Sequence, residues 1–281
     1  MRETVVVTGG SSGIGRATAT ALAARGATVV VVGRDTGRIT AAAREITAAT
    51  GNAAVEPIAA DLSALGEVRR LAERIGERHP VLHALVNNAG VNNPRRRETA
   101  DGLEETFAVN HLAPFLLTGL LTPLLRAAGA ARVVTVTSSA FRMARIDFDD
   151  LQLRGAYRQH RAYNQSKLAN ILFTTELNRR LGGTGVRAFA VEPGFVRTGM
   201  VPPYPYRLFG FLRSEPESPA RVIAALAAGD LPAAEATGVT LLSSAGRPIR
   251  LTGAAASPET AARLWTASSR LTAGDPLPVG P

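Results

Sequence analysis

The chain has 281 residues, 46% of them hydrophobic, with a formal net charge of +9 and no cysteine. This length suits one large domain with an ample core, and the lack of thiols excludes disulfides and thiolate metal sites. The charge is a weak pointer to nucleic acid: apart from Arg95-Arg96-Arg97 the arginines are scattered and few aromatics interleave with them, so no nucleic-acid partner is expected.

In chain order, Thr4–Thr8 reads as a buried strand, followed by the glycine-rich turn TGGSSGIG at 8–15 and a helix over Arg16–Arg25. Strands are expected at Thr28–Val32, Ala54–Ile58, Leu82–Val86, Arg132–Thr137, Val186–Val191 and Val239–Leu242. Helices are expected at Ala41–Ala49, Leu65–Arg78, Leu103–Ala128, Ala162–Leu181 and Ser218–Ala228. Short apolar strands alternating with helices predict an α/β fold: a single doubly wound, Rossmann-type domain over 1–281, with a mostly parallel seven-stranded sheet and helices on both faces. The most apolar run, Leu112 to Leu125, contains Pro114 and Pro123 and reads as a buried helix. No stretch has about 18 uninterrupted apolar residues, so no membrane span is expected. Met1 runs almost directly into the apolar Thr4–Val7, so no signal peptide and a cytoplasmic chain are expected. Gly274 to Pro281 is expected to be an irregular or frayed tail.

The chain has one lysine, Lys167, against 31 arginines, and four tyrosines, of which only Tyr163 lies four residues before it. On a helix, positions i and i+4 share a face, roughly 5–6 Å apart. An ammonium is a compact point charge that shifts its pKa when buried, which a guanidinium does not. The pattern points to a tyrosine acid/base beside a cation. In TGGSSGIG, Gly9 permits a tight turn, Gly13 lets backbone approach a pyrophosphate, and Gly15 lets the helix pack close to the sheet. The helix N-terminus then offers amide groups to phosphates.

Five motifs occur in order: TGGSSGIG at 8–15, NNAG at 87–90, Ser138-Ser139, YNQSK at 163–167 and PGFVRT at 193–198. Together they resemble the short-chain dehydrogenases/reductases over almost the full chain. TADGLEETFAVNHLAPFLLT at 99–118 and the long stretch from Ser139 to Tyr163 resemble the retinol-dehydrogenase-like branch, although that branch often carries a membrane anchor and the retinoid substrate does not transfer. The resemblance implies a catalytic set of Asn110, Ser139, Tyr163 and Lys167. In it, Tyr163 gives a proton to the substrate oxygen, Ser139 holds that oxygen, and Asn110 anchors a water linking Lys167 to solvent. Lys167 also binds the nicotinamide ribose and, with the nicotinamide ring, is expected to lower the tyrosine pKa. Taken alone, Ser138 and Ser139 fit a turn, Asn110 a helix bend, and Asp61 a helix cap. His111 has no counterpart base role and reads as packing or as a residue that supports the site from behind.

The resemblance further implies cofactor contacts from Gly9, Ser11, Ser12, Gly13, Ile14, Gly15, Arg34, Asp61, Leu62, Asn88, Ala89, Gly90, Tyr163, Lys167, Pro193, Gly194, Val196 and Thr198. No metal site is expected. At the end of the second strand, Arg34 can pair with a 2′-phosphate, while Asp35, one step on, is expected to point away. NADP is therefore expected over NAD, although Ser12 stands where some NADP-dependent members carry a basic residue. A substrate flap over 194–216 carries Phe195, Met200, Tyr204, Tyr206, Phe209 and Phe211, and these fit either a bulky hydrophobic carbonyl or alcohol or simple packing. The arginines of 141–162 fit either an acidic substrate group or a solvated loop. The expected activity is NADP-dependent reduction of a bulky hydrophobic ketone or aldehyde, with a catalytically idle NADP-binding sensor or scaffold as the alternative. A homodimer or homotetramer is implied through the helices near 103–128 and 162–181, whose Leu116, Leu120, Leu124, Leu168, Leu172 and Leu177 fit an interface or the core.

Overall fold

A computed structural model of the chain describes residues 2–194, 196, 215–231 and 240–277. Among these, the strands are β1 (Thr4–Thr8), β2 (Thr28–Gly33), β3 (Val55–Ala59), β4 (Ala84–Asn87), β5 (Ala131–Val136), β6 (Val186–Glu192) and β7 (Leu241–Ser243). They form one seven-stranded sheet in the order β3-β2-β1-β4-β5-β6-β7. Every ladder in it is parallel, from Val29↔Val55 at one side to Glu192↔Ser243 at the other.

The valine runs of β1 and β2 explain why this sheet is buried on both faces. Side chains alternate across a strand. Val5, Val7, Val29 and Val31 therefore pack into one cluster with α1 (Gly13–Ala23), α2 (Thr36–Thr50) and, from beyond β6, the helix Glu217–Ala227. Val6, Val30 and Val32 pack on the opposite face against α3 (Leu65–Arg78) and the helix Ala113–Ala127. Each such valine side chain is fully buried and contributes about 1.5–3 kcal/mol.

The helix expected over Leu103–Ala128 is broken. It divides into α4 (Glu105–Phe107), a π-turn over Ala108–Leu112 and α5 (Ala113–Ala127). Glu104 caps its start, accepting from the amides of Thr106 and Phe107 at 2.9 and 2.7 Å. Pro114 sits in the first turn of α5 and has no N–H to give the Asn110 carbonyl four residues earlier, which favours an irregular turn there. Helix α2 begins five residues before the expected start because Asp35 caps it, its Oδ1 accepting from Arg38 N at 2.8 Å. The segment Glu105–Ala127 is long and apolar enough to cross a membrane, but 83% of its most apolar window is buried inside the fold, as a core helix requires.

Beyond α6 (Gln159–Arg180) and α7 (Glu217–Ala227) lies a helix with no counterpart among the expected elements, α8 (Pro258–Leu271). Ser257 caps it, accepting from Thr260 N at 3.0 Å. Its Trp265 fills the groove between α5 and α6, with ring centroids 4.8 Å from Phe115 and 6.0 Å from Phe173. Arg180 lies over the indole at 4.4 Å, and Asp275 accepts from the indole N–H at 3.0 Å. The segment after α8 is irregular as far as Leu277 and is held to the fold. Gly119 of α5 faces the Pro276 ring so closely that a Cβ there would sit 2.4 Å from it. Leu116, Leu168, Leu172 and Leu177 are core residues of this chain, while Leu120 and Leu124 are only partly buried. Trp265→Ala is expected to cost about 3–5 kcal/mol and to lower Tm by about 10 °C, a change that thermal unfolding measures directly.

Candidate active site

In an open parallel sheet the ligand crevice lies at the carboxyl ends of the strands where the order reverses. Here the chain runs outward from β1 through β2 to β3, then returns to β4 on the other side of β1. The turn after β1 and the segment after β4 meet at this point. Thr8 Oγ1 accepts from Asn88 N and Ala89 N at 3.0 and 3.1 Å, and Asn88 Nδ2 donates to Thr8 O at 2.9 Å. Gly9 is left-handed at φ +68°, and a Cβ there would lie 2.8 Å from Asn88 Nδ2. At Gly15 a Cβ would lie 2.3 Å from Gly9 O and 2.4 Å from Asn88 Nδ2, so the start of α1 is pressed against both loops. Thr8, which opens the glycine motif and received no role from the sequence, is the side chain that joins them.

Helix α1 starts at Gly13, with Ser12 at its N-cap placing no side-chain oxygen on the first-turn amides and no acidic residue in that turn. Those donors and the dipole end are therefore available to an anion. Ser11, Ser12 and Gly13 have some solvent exposure there, while Ile14 packs into the core. At the end of β2, Arg34 is exposed, and the carboxylate of Asp35 is spent on the cap of α2. After β3, Asp61 accepts from Ser63 N at 3.0 Å in a local turn, and Leu62 is buried against the α3 side of the sheet. The α3 cap position is Ala64, so Asp61 is not the helix cap, the alternative weighed from sequence. Ala89 and Gly90 continue from β4 into this crevice, and Pro193 and Gly194 leave β6 at the same edge. Val196 is buried in the core cluster beside α7. Thr198 and the flap residues Phe195, Met200, Tyr204, Tyr206, Phe209 and Phe211 lie outside the described residues.

Helix α6 supplies Tyr163 and Lys167 on one face, with the ammonium 5.5 Å from the phenol ring centroid. Lys167 is 3% exposed, and its Nζ donates to Val136 O at the end of β5 at 3.1 Å. Burial alone pushes its pKa down to about 8. Burial likewise raises the Tyr163 pKa above the usual phenol value, against a smaller lowering by the Ser138 side chain hydrogen-bonded to it. Burial thus favours the protonated phenol. The serine hydroxyl at the phenol is that of Ser138. Ser139, one residue on, opens the 3-10 turn Ser139–Met143 and is partly exposed at the same strand end.

The remaining letters of YNQSK serve as anchors. Ser166 Oγ accepts from Asn110 Nδ2 at 2.9 Å and donates to the Tyr163 carbonyl at 2.8 Å. Gln165 donates to Leu151 O and accepts from Asp147 N, fixing the long segment before α6. Asn110 is fully buried within the π-turn; its Oδ1 accepts from Val91 N at 2.7 Å and its Nδ2 donates to Val91 O at 3.0 Å. The π-turn thus holds the segment after β4 and helix α6 together. Most of the arginines of 141–162 are engaged within the chain: Arg142 with Glu192, Arg154 with Gly102 O, and Arg161 with Asp147.

A glycine turn beneath an open helix end, at the switch point of a parallel sheet and together with a buried lysine beside a partly buried tyrosine, defines a dinucleotide-binding α/β protein. Comparison with known proteins makes the assignment narrower. The short chain dehydrogenase family model matches residues 3–205, and the chain belongs to that family, on its retinol-dehydrogenase-like branch. It is 46% identical to human retinol dehydrogenase 12 over 199 residues, which are 71% of this chain and 63% of that protein. To human retinol dehydrogenase 13 it is 44% identical over 197 residues, 70% of this chain and 60% of that protein. The chain therefore spans less than two thirds of the length of these curated relatives. A crystal structure from Mycobacterium Paratuberculosis is 34% identical, with a TM-score of 0.74 over 99% of this chain and 95% of that one. A metagenomic short-chain oxidoreductase in complex with NADP is 31% identical, with a TM-score of 0.63 over 80% of this chain and 90% of that one. The family is one of oxidoreductases that act on small molecules with a nicotinamide cofactor.

Proposed function

We propose that this chain is an NADP-dependent oxidoreductase that reduces a bulky hydrophobic ketone or aldehyde to the alcohol. The observation that carries this reading is the pairing of partly buried Tyr163 with buried Lys167 on one face of α6, at the carboxyl edge of the sheet. The site fits a nicotinamide dinucleotide. Gly15 has no room for a Cβ, the first turn of α1 has no capping side chain or acidic residue, and Arg34 is exposed at the end of β2. Bound there, the cofactor supplies the hydride.

Tyr163 holds a proton on its Oη in a site where burial favours the neutral phenol, which suits donation to a substrate oxygen. The Ser138 and Ser139 hydroxyls at the end of β5 orient that oxygen. Lys167, tied to Val136 O, presents its ammonium to the ribose and to the phenol. Asn110 holds the π-turn against α6 and anchors the water that returns protons to Lys167. Gly9, Ser11, Ser12, Gly13, Ile14 and Gly15 take the phosphates, Asp61 and Leu62 flank the adenine, and Asn88, Ala89, Gly90, Pro193 and Gly194 line the remaining cleft. A bulky apolar substrate is consistent with the relatives, which are retinol dehydrogenases.

NADP is favoured because Asp35 is committed to the cap of α2, while the Arg34 guanidinium is exposed beside the same strand end. Arg34→Asp is expected to weaken NADPH binding by about tenfold to a hundredfold through loss of charge-assisted hydrogen bonds, and to turn the preference toward NADH. An unchanged preference would assign phosphate recognition to another residue. The reading as a whole is tested by titrating the protein with NADPH and NADH, following cofactor fluorescence, and then offering a panel of hydrophobic ketones and aldehydes. Tight NADPH binding with oxidation of the cofactor supports the reductase. Tight binding with no turnover across the panel favours the idle sensor instead.

A further inference from the structure

His111 follows Asn110 in the π-turn and meets α6 further along, together with α8. Its ring is 1% exposed and is surrounded by Phe107, Phe115 and Phe173 at centroid distances of 5.0, 6.2 and 6.3 Å. Its Nε2 lies 2.8 Å from Ser268 Oγ, itself fully buried on α8. Asn170 of α6 is the ring's other polar neighbour, and burial keeps the ring neutral, with a pKa pushed down to about 3. Such a ring offers one donor and one acceptor and takes no part in acid/base exchange at working pH.

A π-turn carries one residue more than the α-helix around it, and such turns are rare and short. Something must keep the extra residue in place, since slipping into α-register would rotate Asn110 away from Val91 and Ser166. Toward Val91 and the start of α6 the Asn110 amide does this. On the outer side the polar anchor is the His111–Ser268 contact, and α8 is held in turn by Trp265 between α5 and α6 and by Thr272 O, which accepts from Arg69 of α3 at 2.6 Å.

We propose that His111 and Ser268 are a positioning pair through which the C-terminal helix α8, away from the dinucleotide crevice, sets the π-turn and so the line Asn110–Ser166–Tyr163. Its consequence for turnover rests on the assignment of Asn110 and Tyr163 to the reaction under Proposed function; its consequence for the backbone does not.

The test replaces the pair by apolar groups of similar size, His111→Leu with Ser268→Ala, so that neither partner of this hydrogen bond is left unsatisfied by loss of the other. Amide hydrogen exchange, NADPH affinity, Tm and steady-state rates are measured on the native chain, on this double variant, on His111→Gln, which keeps a side-chain amide within reach of Ser268, and on Ser269→Ala, a neighbouring position on α8 whose hydroxyl bonds Trp265 O instead. The expected result is faster exchange across 108–112 in the double variant, with kcat lower by about tenfold to a hundredfold and NADPH affinity and Tm little changed. His111→Gln should recover most of the loss, and Ser269→Ala should behave like the native chain. Unchanged exchange across 108–112 in the double variant overturns the proposal, as does a fall in kcat equally large in Ser269→Ala. If the double variant does not fold, His111→Gln against Ser268→Ala decides by the same readings. If the native chain turns over no carbonyl, the reductase reading fails, and the exchange comparison alone still decides whether α8 sets the π-turn.

Discussion

Tyr163→Phe should abolish carbonyl reduction while leaving NADPH binding nearly intact. The substitution removes one oxygen from a partly buried side chain and keeps the ring that packs against Lys167. Under the proposed mechanism, what is lost is the proton that Oη would give to the substrate oxygen, and a positioned general acid is worth about 10²–10⁴ in rate. The hydrogen bond with Ser138 is lost as well, at a cost of about 1 kcal/mol, so the fold should hold. Measurement of kcat beside the cofactor dissociation constant separates the two effects. A kcat near that of the native chain would remove Tyr163 from the mechanism; a collapse of NADPH affinity would make its role one of binding. Because burial holds the phenol neutral and Lys167 titrates near pH 8, reduction should be supported below that pH and decline above it as the ammonium is lost. The sign follows from the lysine: its charged form, which favours proton release from the phenol, predominates only on the acid side of its pKa.

Gly15→Ala should damage both the fold and the cofactor site. The added Cβ would stand 2.3 Å from Gly9 O and 2.4 Å from Asn88 Nδ2. The first is backbone, and the second is held by its bonds to Thr8 O and Gly9 O, so neither can swing aside. Relief requires α1 to lift from the sheet, where Ala19 and Leu22 are packed in the core. Overpacking of this kind costs about 3 kcal/mol, or about 5–10 °C in Tm for a chain of this size. Moving the helix end also withdraws the first-turn amides from the phosphates, and the loss of one or two charge-assisted hydrogen bonds weakens NADPH binding by about a hundredfold. Thermal unfolding with and without NADPH measures both terms. A variant with native Tm and native affinity would show that the contact between α1 and the two loops is not tight.

The legible part of this protein was the part governed by local chemistry. Valine runs at β1 and β2 can only be buried on both faces, so the parallel sheet followed from them. Gly9 and Gly13 take left-handed conformations that favour glycine, Gly15 has no room for a Cβ, and the spacing of Tyr163 and Lys167 put both on one face of α6. Boundaries slipped where a side chain from outside the periodic pattern set them, as Asp35 did for α2. Helix α8 was overlooked, although Ser257-Pro258-Glu259 is a start signal of the usual kind: a capping serine followed by proline in the first turn.

Three features were decided only by the tertiary structure, because each depends on residues far apart in the chain. The break of the long helix into a π-turn depends on Asn110 meeting Val91 and Ser166, 19 and 56 residues away. The direction of the Tyr163 pKa depends on how much water the packed site excludes, which spacing to Lys167 does not reveal. The leucines of α5 and α6, which the pattern left open between core and interface, are settled largely as core by the packing of the sheet, α6 and α8 around them. The sheet, the glycine turn and the tyrosine–lysine pair were already legible in the residues, since these rest on strand burial, glycine conformations and helical spacing. Folding alone decided which serine meets the phenol, which groups lose solvent, and which helix closes the outer groove, since those follow from contacts between distant segments.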